Sequence, residues 1–406
     1  MVFTIAALMR VWIVTSWSTT PIADAADYHR LATGIANGVG YATEAGRPTA
    51  WRPPGYPIFL SGIYFLFGPS VRAATIVQAL LGATTVLLLV ALGWMVIGPC
   101  ESIVAGFIAA VFPSFVWLSR LLLSENLALF LLLASLCLGL LVLRSERPWC
   151  AAALGMVLGL NILVRGANLL FALVVLASIV VVQVKRRHHW DKLIVISILA
   201  ALGLLLPLLP WTIRNYRVFG AFIPVATQDG LGLYASYWPP VRNGKTIWGN
   251  LPGTEDPNVA AAGQARNEYE ASKYLQHVTL ERLRAQPSYF FRLVPPKIIS
   301  LLVPYDWEIL PHANGGTRSI NFGYLLIMLP AMLGFVALMR HRRRDQWLLW
   351  ILPAVVLVQA IVFYGSPRFR LPAELIAILL AAVGLTNAWC FLKVRLPLLR
   401  YLFGNE

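Results

Sequence analysis

The residues with the clearest chemical potential lie in the segment 24–57, which joins the first apolar run of the chain to the rest. Asp24 opens this segment, and after a glycine-rich stretch it closes with the sequence W-R-P-P-G-Y-P at 51–57. A carboxylate such as Asp24 can act as a general base toward a hydroxyl group, and Arg52 and Tyr56 carry donors suited to phosphate oxygens. Charged groups so close to apolar runs are costly unless water, partners or function hold them there.

These residues also allow other interpretations. The apolar residues after Asp24 recur at helical spacing, so Asp24 is in place to cap a helix, with Asp27 as its capping-box partner. A metal site built from Asp24, Asp27 and His29 is the weaker alternative, because Asp27 and His29 point to different helix faces. Arg52 and Tyr56 alternatively form an interfacial anchor, in which the arginine reaches toward water from an apolar surface.

Glu125 and Arg165 are ionisable residues at the ends of apolar runs. Glu125 lies about one turn into the fourth run, where such a group normally faces the bundle and has a partner. We expect Glu125 to brace the segment around Asp24 more readily than to perform chemistry. Arg165 lies in the short break 164–168 and is either a charged span end or a phosphate ligand.

Two later segments carry pairs of arginines. Arg214 and Arg217 end one apolar run, and Arg368 and Arg370 precede the last one. By the charge count below, both pairs lie on the same side as Asp24, where positive charge runs against the usual topology bias. An anionic lipid headgroup would explain them, because a guanidinium matches the geometry of phosphate. The alternative is that they pair with acidic residues, for which the candidates are Glu374, Asp306 and Glu308.

The composition indicates a helical membrane protein. Of 406 residues, 58% are hydrophobic and 13% are charged, about half of the roughly 25% that soluble domains carry. Apolar runs of about 20 residues recur, which is the length of a membrane-spanning helix. The net charge of +15 comes from basic clusters that flank these runs, so it is a topology signal and we expect no nucleic-acid binding.

Ten apolar runs are predicted to span the bilayer: 2–18, 71–97, 102–118, 121–143, 149–164, 169–184, 193–211, 322–339, 347–363 and 371–392. Two shorter pieces, 54–67 and 289–303, are predicted to lie on the membrane surface, because this places every basic cluster on the cytoplasmic side. Those clusters are 144–147, 185–192, 340–344 and 393–400. The sequence thus predicts an all-α polytopic membrane protein with both termini in the cytoplasm.

This topology divides the chain into three parts. Residues 1–213 form an N-terminal transmembrane module whose first outer loop is 19–70, residues 214–321 form a long outer loop, and residues 322–406 form the C-terminal spans with a short tail. Amphipathic spacing in the long loop predicts a helix over 258–286. Nucleotide-binding and serine-hydrolase motifs are lacking, so an enzyme of this kind would take its activated substrate from the membrane.

Five motifs, in this order along the chain, resemble one known family. They are D-x-x-x-Y at 24–28, R-P-P-G-Y-P-x-F-L at 52–60, S-E at 124–125, P-W-x-I-R-N-Y-R-x-F-G-x-F-I-P-V at 210–225 followed by Gly230 and Gly232, and R-F-R-L-P-A-E at 368–374. Together they resemble the GT-C glycosyltransferases that use polyprenyl-phosphate sugars, the superfamily of protein O-mannosyltransferases and lipid A aminoarabinose transferases. The resemblance extends from about residue 10 to residue 392.

The resemblance implies a GT-C-like bundle of about ten spans, with interfacial helices in its first outer loop. It also implies an inverting transfer of a sugar from a polyprenyl-phosphate carrier to a lipid, glycan or protein acceptor, on the outer face of a bacterial cytoplasmic membrane. The family's catalytic aspartate falls on Asp24, which would deprotonate the acceptor hydroxyl, a contribution of roughly 10²–10⁴-fold. The candidates for binding the carrier phosphate or substrate are Tyr28, Arg52, Tyr56, Arg165, Arg214, Arg217, Arg368 and Arg370.

The chain departs from the family pattern in three respects. Many members have Asp-Glu or Asp-Asp at the catalytic position, whereas this chain has Asp24-Ala25, so Asp27 is the candidate for a second catalytic carboxylate. Only residues 394–406 follow the last predicted span, where some relatives have a large soluble domain. A second clear acidic motif is lacking, so we expect no cofactor, with a divalent metal as the less favoured alternative.

Two other functions stay open. A flippase or transporter of lipid-linked sugars would need paired inverted repeats and charges near the membrane midplane, whereas few charges besides Arg10 lie within the predicted spans. A polymerase or ligase of surface polysaccharide would use the same kind of lipid-linked donor but would extend or move whole oligosaccharides.

Overall fold

The computed structural model describes residues 1–17, 19–145, 147–186, 190–238, 252–304, 320–340 and 345–395. The proposed pairing partners Asp306 and Glu308 lie outside these ranges. Within them the secondary structure is helical, and the single strand-like pairing is an isolated antiparallel bridge between Ala42 and Pro48. The predicted all-α class is confirmed.

Seventeen α-helices occur in the described residues: α1 (Val2–Ser16), α2 (Asp24–Ala36), α3 (Gly55–Phe67), α4 (Val71–Val96), α5 (Pro99–Val111), α6 (Pro113–Leu118), α7 (Glu125–Ser145), α8 (Pro148–Val164), α9 (Leu169–Lys185), α10 (Trp190–Phe219), α11 (Asp229–Ser236), α12 (Pro257–Gly263), α13 (Glu268–Ala285), α14 (Pro287–Leu302), α15 (Phe322–Arg340), α16 (Ile351–Val362) and α17 (Leu371–Arg395). Short 3-10 helices precede α9, α16 and α17 at Gly166–Asn168, Gln346–Trp350 and Pro367–Arg370.

Six helices of the described chain are long and apolar enough to cross a membrane. They are α4, α7, α9, α10, α15 and α17, where α9 and α17 are counted with the short helices before them. Helices α1, α3, α5 and α8, and α16 with its preceding turn, are apolar but shorter. The chain is therefore a multi-pass membrane protein, while the count of ten spans stays a prediction.

The single helix predicted over 102–118 is wrong, because the structure has two helices there, α5 and α6. They are separated at Phe112, whose ψ of 120° is extended. Pro113 causes this break, since it has no amide hydrogen and its ring disfavours helical geometry at the residue before it.

Arg10 of α1 stabilises the broken end of α5. The carbonyl oxygens of Ala109 and Ala110 lose their helical partners at the break and accept hydrogen bonds from the Arg10 guanidinium at 3.2 and 2.8 Å. A break at membrane depth is tolerated when the freed backbone groups find such partners. This explains how Arg10, which is only 1% exposed, sits within an apolar bundle without a carboxylate.

Asp345 gathers the basic segments at one end of the bundle. Its carboxylate pairs with Arg144 from the end of α7 and Arg186 from the end of α9, each at 3.1 Å. Arg144 also donates to the carbonyl of Met95 near the end of α4, at 2.8 Å. The basic segments after α7 and α9 therefore share one end, as the charge count predicts.

The segment predicted to form the long outer loop contains a different set of helices from the one expected. In place of one helix over 258–286 there are two, α12 and α13, and Asn267 caps the second through the amides of Tyr269 and Glu270. Helix α10 continues to Phe219, six residues past the predicted boundary of the first module. Glu268 of α13 accepts a hydrogen bond from Thr49 at 2.7 Å, which joins this segment to the segment 19–70.

Candidate active site

Asp24 is held by two arginines from distant parts of the chain. It is the first residue of α2, and the residue at the N-cap position is Ala23, with no side-chain capping bond. Arg52 Nη2 donates to Asp24 Oδ1 at 2.7 Å, and Arg368 Nη1 donates to Oδ2 at 2.8 Å. The capping interpretation of Asp24 is not observed, because both carboxylate oxygens face guanidinium groups instead of backbone amides.

Arg52 binds both acids of α2. Its Nη2 and Nε donate to Asp27 Oδ2 at 2.8 and 3.1 Å, while Nη1 donates to Gln228 Oε1 at 3.1 Å. Pro53 and Pro54 follow Arg52 directly and restrict the backbone before α3 begins. The backbone that carries Arg52 is therefore rigid where its side chain contacts α2.

Arg368 connects Asp24 to Glu125, the first residue of α7. Its Nη2 donates to Glu125 Oε2 at 3.0 Å, and its Nε donates to Oε1. Arg165, in the break after α8, pairs with Glu125 Oε1 at 2.5 Å. The Glu125 side chain is only 5% exposed, so this pairing is buried. We refer to Asp24, Asp27, Glu125, Arg52, Arg165 and Arg368 as the acid–arginine cluster.

The arginines determine the protonation state of Asp24. Burial by itself would raise the pKa of this carboxyl, but the guanidinium groups of Arg368 and Arg52 outweigh burial and hold the pKa below its ordinary value of 3.8. Asp24 is therefore a carboxylate at neutral pH, the form that a general base requires.

Tyr28 and Tyr56 pack under the cluster. Their rings meet edge to face with centroids 4.9 Å apart, and the Arg52 guanidinium lies 5.6 Å from the Tyr28 ring. The Tyr28 hydroxyl donates to Ser124 at 3.5 Å, and the Tyr56 hydroxyl donates to Gln78. Both rings are buried, so their packing positions Arg52, and the Tyr56 hydroxyl would have to leave Gln78 to reach a phosphate.

Arg214 and Arg217 are not part of the cluster. Arg214 donates to the carbonyls of Thr49 and Tyr41 at 2.7 and 2.9 Å, and lies 4.9 Å from the Trp211 ring. It thereby fixes the segment that contains Tyr41 and Thr49 onto the end of α10. Arg217, three residues on, is exposed.

Arg370 has a different environment from Arg368, although only one residue separates them. It pairs with Glu374 at 2.6 Å, and both side chains are buried. Its guanidinium also donates to the carbonyls of Leu301 and Val303 at 3.2 and 2.7 Å, which joins the start of α17 to the end of α14. The alternative interpretation of Arg370, pairing with Glu374, is the one observed.

The donor set around Asp24 does not resemble a metal site. Among the described residues, no group of three His, Cys, Asp or Glu side chains is arranged to hold a metal ion. His29 Nδ1 lies 2.8 Å from the Tyr64 hydroxyl, and the positive charge beside Asp24 comes from Arg52 and Arg368, which donate to its two oxygens.

Two residues near the cluster were not predicted from the sequence. Gln228 binds Arg52 across 176 positions of sequence, and its only local signal is the glycine-rich step that follows it. Tyr364 is half-buried, and burial raises its pKa, as does the charge of Asp24, whereas Arg368 opposes the rise. Its phenol therefore lies within the electrostatic reach of the cluster.

Comparison with known families gives one match. The family model described as dolichyl-phosphate-mannose-protein mannosyltransferase matches residues 51–211, which include Arg52, Tyr56, Glu125 and Arg165. Among curated proteins, none matches the sequence.

The solved structures of one oligosaccharyltransferase share the fold. The oligosaccharyltransferase AglB from Archaeoglobus fulgidus, in complex with an inhibitory peptide and a dolichol-phosphate, has a TM-score of 0.59 at 15% identity over 100% of this chain and 52% of its own. Its apo form gives the same values. ArnT from Cupriavidus metallidurans, bound to undecaprenyl phosphate, has a TM-score of 0.45 at 15% identity over 97% of this chain and 79% of its own. The chain thus spans about half the length of the oligosaccharyltransferase and shares its fold, and the mannosyltransferase family model matches residues 51–211.

The substitution Glu125→Gln tests the buried pairing. It leaves Arg165 without a carboxylate and Arg368 with only Asp24, and unpairing a buried charge typically costs about 3 kcal/mol or more. We expect a loss of this order in the free energy of unfolding, measured by titrating the purified protein from mild detergent into a denaturing one.

The double variant Glu125→Gln with Arg165→Gln is the matched control, because it removes one charge of each sign. It is expected to recover at least half of the lost stability, since residues in direct contact show coupling energies of about 0.5–3 kcal/mol. A double variant as unstable as the sum of the two single variants would show that the pair is not coupled.

Proposed function

We propose that this protein is an inverting glycosyltransferase, which moves a sugar from a polyprenyl-phosphate carrier to a lipid, glycan or protein acceptor. The observation that carries the proposal is the Asp24 carboxylate held between Arg52 and Arg368 at one end of an apolar helical bundle. The family match over residues 51–211 and the fold shared with AglB, whose complex contains a dolichol-phosphate, support a lipid-phosphate donor.

In the proposed reaction, Asp24 takes the proton of the acceptor hydroxyl while the hydroxyl oxygen attacks the anomeric carbon. The new bond joins that oxygen to the anomeric carbon, and the bond from the anomeric carbon to the carrier phosphate breaks on the opposite face. The electron pair of the broken bond stays on the phosphate, which leaves as a polyprenyl phosphate monoester. The anomeric configuration inverts because a single displacement takes place.

The charge balance of the cluster suits this step. The six residues of the cluster carry three carboxylates and three guanidinium groups, so they have no net charge before reaction. Arg30 lies outside the cluster and contacts both Asp27, at 3.7 Å, and Glu44, at 3.9 Å. Protonation of Asp24 removes one negative charge and leaves Arg52 and Arg368 less compensated, at the moment when the phosphate gains negative charge. Preorganised donors directed at a developing charge are usually the largest catalytic contribution.

We further propose that the reaction takes place on the outer face of the cytoplasmic membrane. Arg144, Arg186 and Asp345 mark the end of the bundle opposite to the cluster, and that end carries the basic segments. Since basic segments stay in the cytoplasm, the positive-inside rule favours an outward-facing Asp24.

The substitution Asp24→Asn tests the general base. Asparagine is nearly isosteric and cannot accept the proton, so we expect the protein to fold and bind polyprenyl phosphate while transfer falls by at least ~10²-fold. Turnover is measured with radiolabelled polyprenyl-phosphate sugars in proteoliposomes. Transfer at near wild-type rate in Asp24→Asn would refute the assignment of the base.

The pH dependence of transfer tests the role of the arginines. Because the pKa of Asp24 is held below 3.8, the carboxylate is already ionised at about pH 5, and its protonation should not reduce kcat/KM between about pH 5 and 8. In Arg52→Gln one opposing cation is gone, so the pKa of Asp24 rises and the acid limb of the pH profile moves to higher pH.

Arg72→Gln, which removes an exposed arginine from the start of α4, is the control for Arg52→Gln. The acid limb of the kcat/KM pH profile of Arg72→Gln should coincide with that of the wild type. An active Arg52→Gln variant whose acid limb does not move would contradict the electrostatic coupling.

We also propose that transfer needs no divalent metal, because Arg52 and Arg368 already supply two positive charges to the Asp24 carboxylate. Excess chelator is therefore expected to leave the transfer rate unchanged, and added Mg²⁺ or Mn²⁺ should not increase it. Activity that disappears with chelator and returns with a metal ion would overturn this part of the proposal.

A further inference from the structure

Asp229 opens α11 beside the acid–arginine cluster. The residue before it, Gln228, accepts a hydrogen bond from Arg52 at 3.1 Å. On its other side, a Cβ atom placed on Gly166 would lie 3.9 Å from Asp229 Oδ2, and Gly166 directly follows Arg165. Asp229 therefore lies between the two chain segments that bring Arg52 and Arg165 to the cluster.

The Asp229 carboxylate has no hydrogen-bond or ion-pair partner within the described part of the chain. Its side chain is exposed, yet the surrounding protein desolvates the carboxyl group and raises its pKa. The Asp229 carboxylate is thus accessible to a ligand and lies beside the chain segments that carry Arg52 and Arg165. The carboxylates of the cluster differ, since each of them already faces a guanidinium.

A purely local explanation accounts for only part of this arrangement. Acidic residues are common in the first turn of a helix, where the helix dipole stabilises negative charge. That effect would lower the pKa of Asp229, whereas desolvation raises it. It also gives no reason for the carboxylate to lie between the segments of Arg52 and Arg165 without a partner among the described residues.

We propose that the Asp229 carboxylate binds hydroxyl groups of the sugar that this protein transfers. The inference rests on the proposed function and identifies a specificity-determining residue for it. A carboxylate repels the carrier phosphate, but its two oxygens can accept hydrogen bonds from neighbouring hydroxyls of a sugar ring. Asp229 would thus orient the sugar beside the base and compensate for its own desolvation by hydrogen bonding.

The test compares carriers with and without a sugar. The probes are short-chain polyprenyl phosphate and a panel of its hexose and pentose esters, with binding measured in detergent micelles for wild type, Asp229→Ala and Asp229→Asn. For the ester that binds wild type best, Asp229→Ala should weaken binding about tenfold or more, because hydrogen bonds to a charged group are lost. Asp229→Asn should lose less, since it keeps one acceptor oxygen, and bare polyprenyl phosphate should bind all three proteins within about twofold.

Glu101→Ala is the matched control. Glu101 is an acidic residue in the first turn of α5, at the opposite end of the bundle, so its removal should change neither affinity. The inference would be overturned if Asp229→Ala weakened the binding of the bare and the sugar-bearing carrier equally. It would also be overturned if the variant changed neither binding nor transfer. Wild-type protein that neither binds polyprenyl phosphate nor transfers sugar would instead refute the proposed function, and with it this inference.

A second arm distinguishes donor from acceptor. Transfer to octyl glycosides is measured as a function of octyl glycoside concentration at saturating donor. If Asp229→Ala alters the donor affinity and leaves the KM for the octyl glycoside unchanged, the result supports binding of the transferred sugar. A raised KM for the octyl glycoside with unchanged donor affinity would overturn the assignment to the donor and place Asp229 on the acceptor side.

Discussion

The end of the molecule that holds the acid–arginine cluster depends on one guanidinium, that of Arg368. It bonds Asp24 and Glu125, which lie 344 and 243 positions away along the chain. Two carboxylates this close repel each other, and Glu125 indeed opposes the ionisation of Asp24. The arginine between them reverses that repulsion, and a buried charge that lost its partner would cost several kcal/mol. Arg368 therefore fixes where the start of α2 lies against the start of α7.

A neutral cluster explains how so many charges can sit against an apolar bundle. Each acid is matched by a guanidinium, and the remaining donors of Arg52 reach Gln228. The cost of removing these groups from bulk water is met during folding, before any substrate binds. Little reorganisation is then needed when charge moves from the acceptor to the leaving phosphate, which is the condition under which fixed dipoles and charges accelerate a reaction most.

The sequence predicts the helical class, most of the apolar helices and the approach of Asp24 to the arginines near the last helix, because hydrophobic length and charge placement determine them. It does not determine which arginine makes that approach. Arg368 and Arg370 lie two apart in a 3-10 helix, and at three residues per turn they point to different sides. Arg368 reaches Asp24, whereas Arg370 pairs with Glu374. The helix break at Pro113 follows from the absence of an amide hydrogen, but the apolar pattern around it masks that signal.

Both ends of the bundle use the same device, in which one buried acid is held between two arginines. Asp345 lies between Arg144 and Arg186 at one end, and Glu125 lies between Arg165 and Arg368 at the other. The side chain of Asp345 is 3% exposed, so that cluster is closed and joins helix ends. At the end with the acid–arginine cluster, Arg368 also bonds Asp24, whose side chain is 31% exposed. A carboxylate that is fixed by arginines and still open to solvent can contact a substrate. The candidate active site and the Asp345 cluster therefore differ in solvent access and not in residue types.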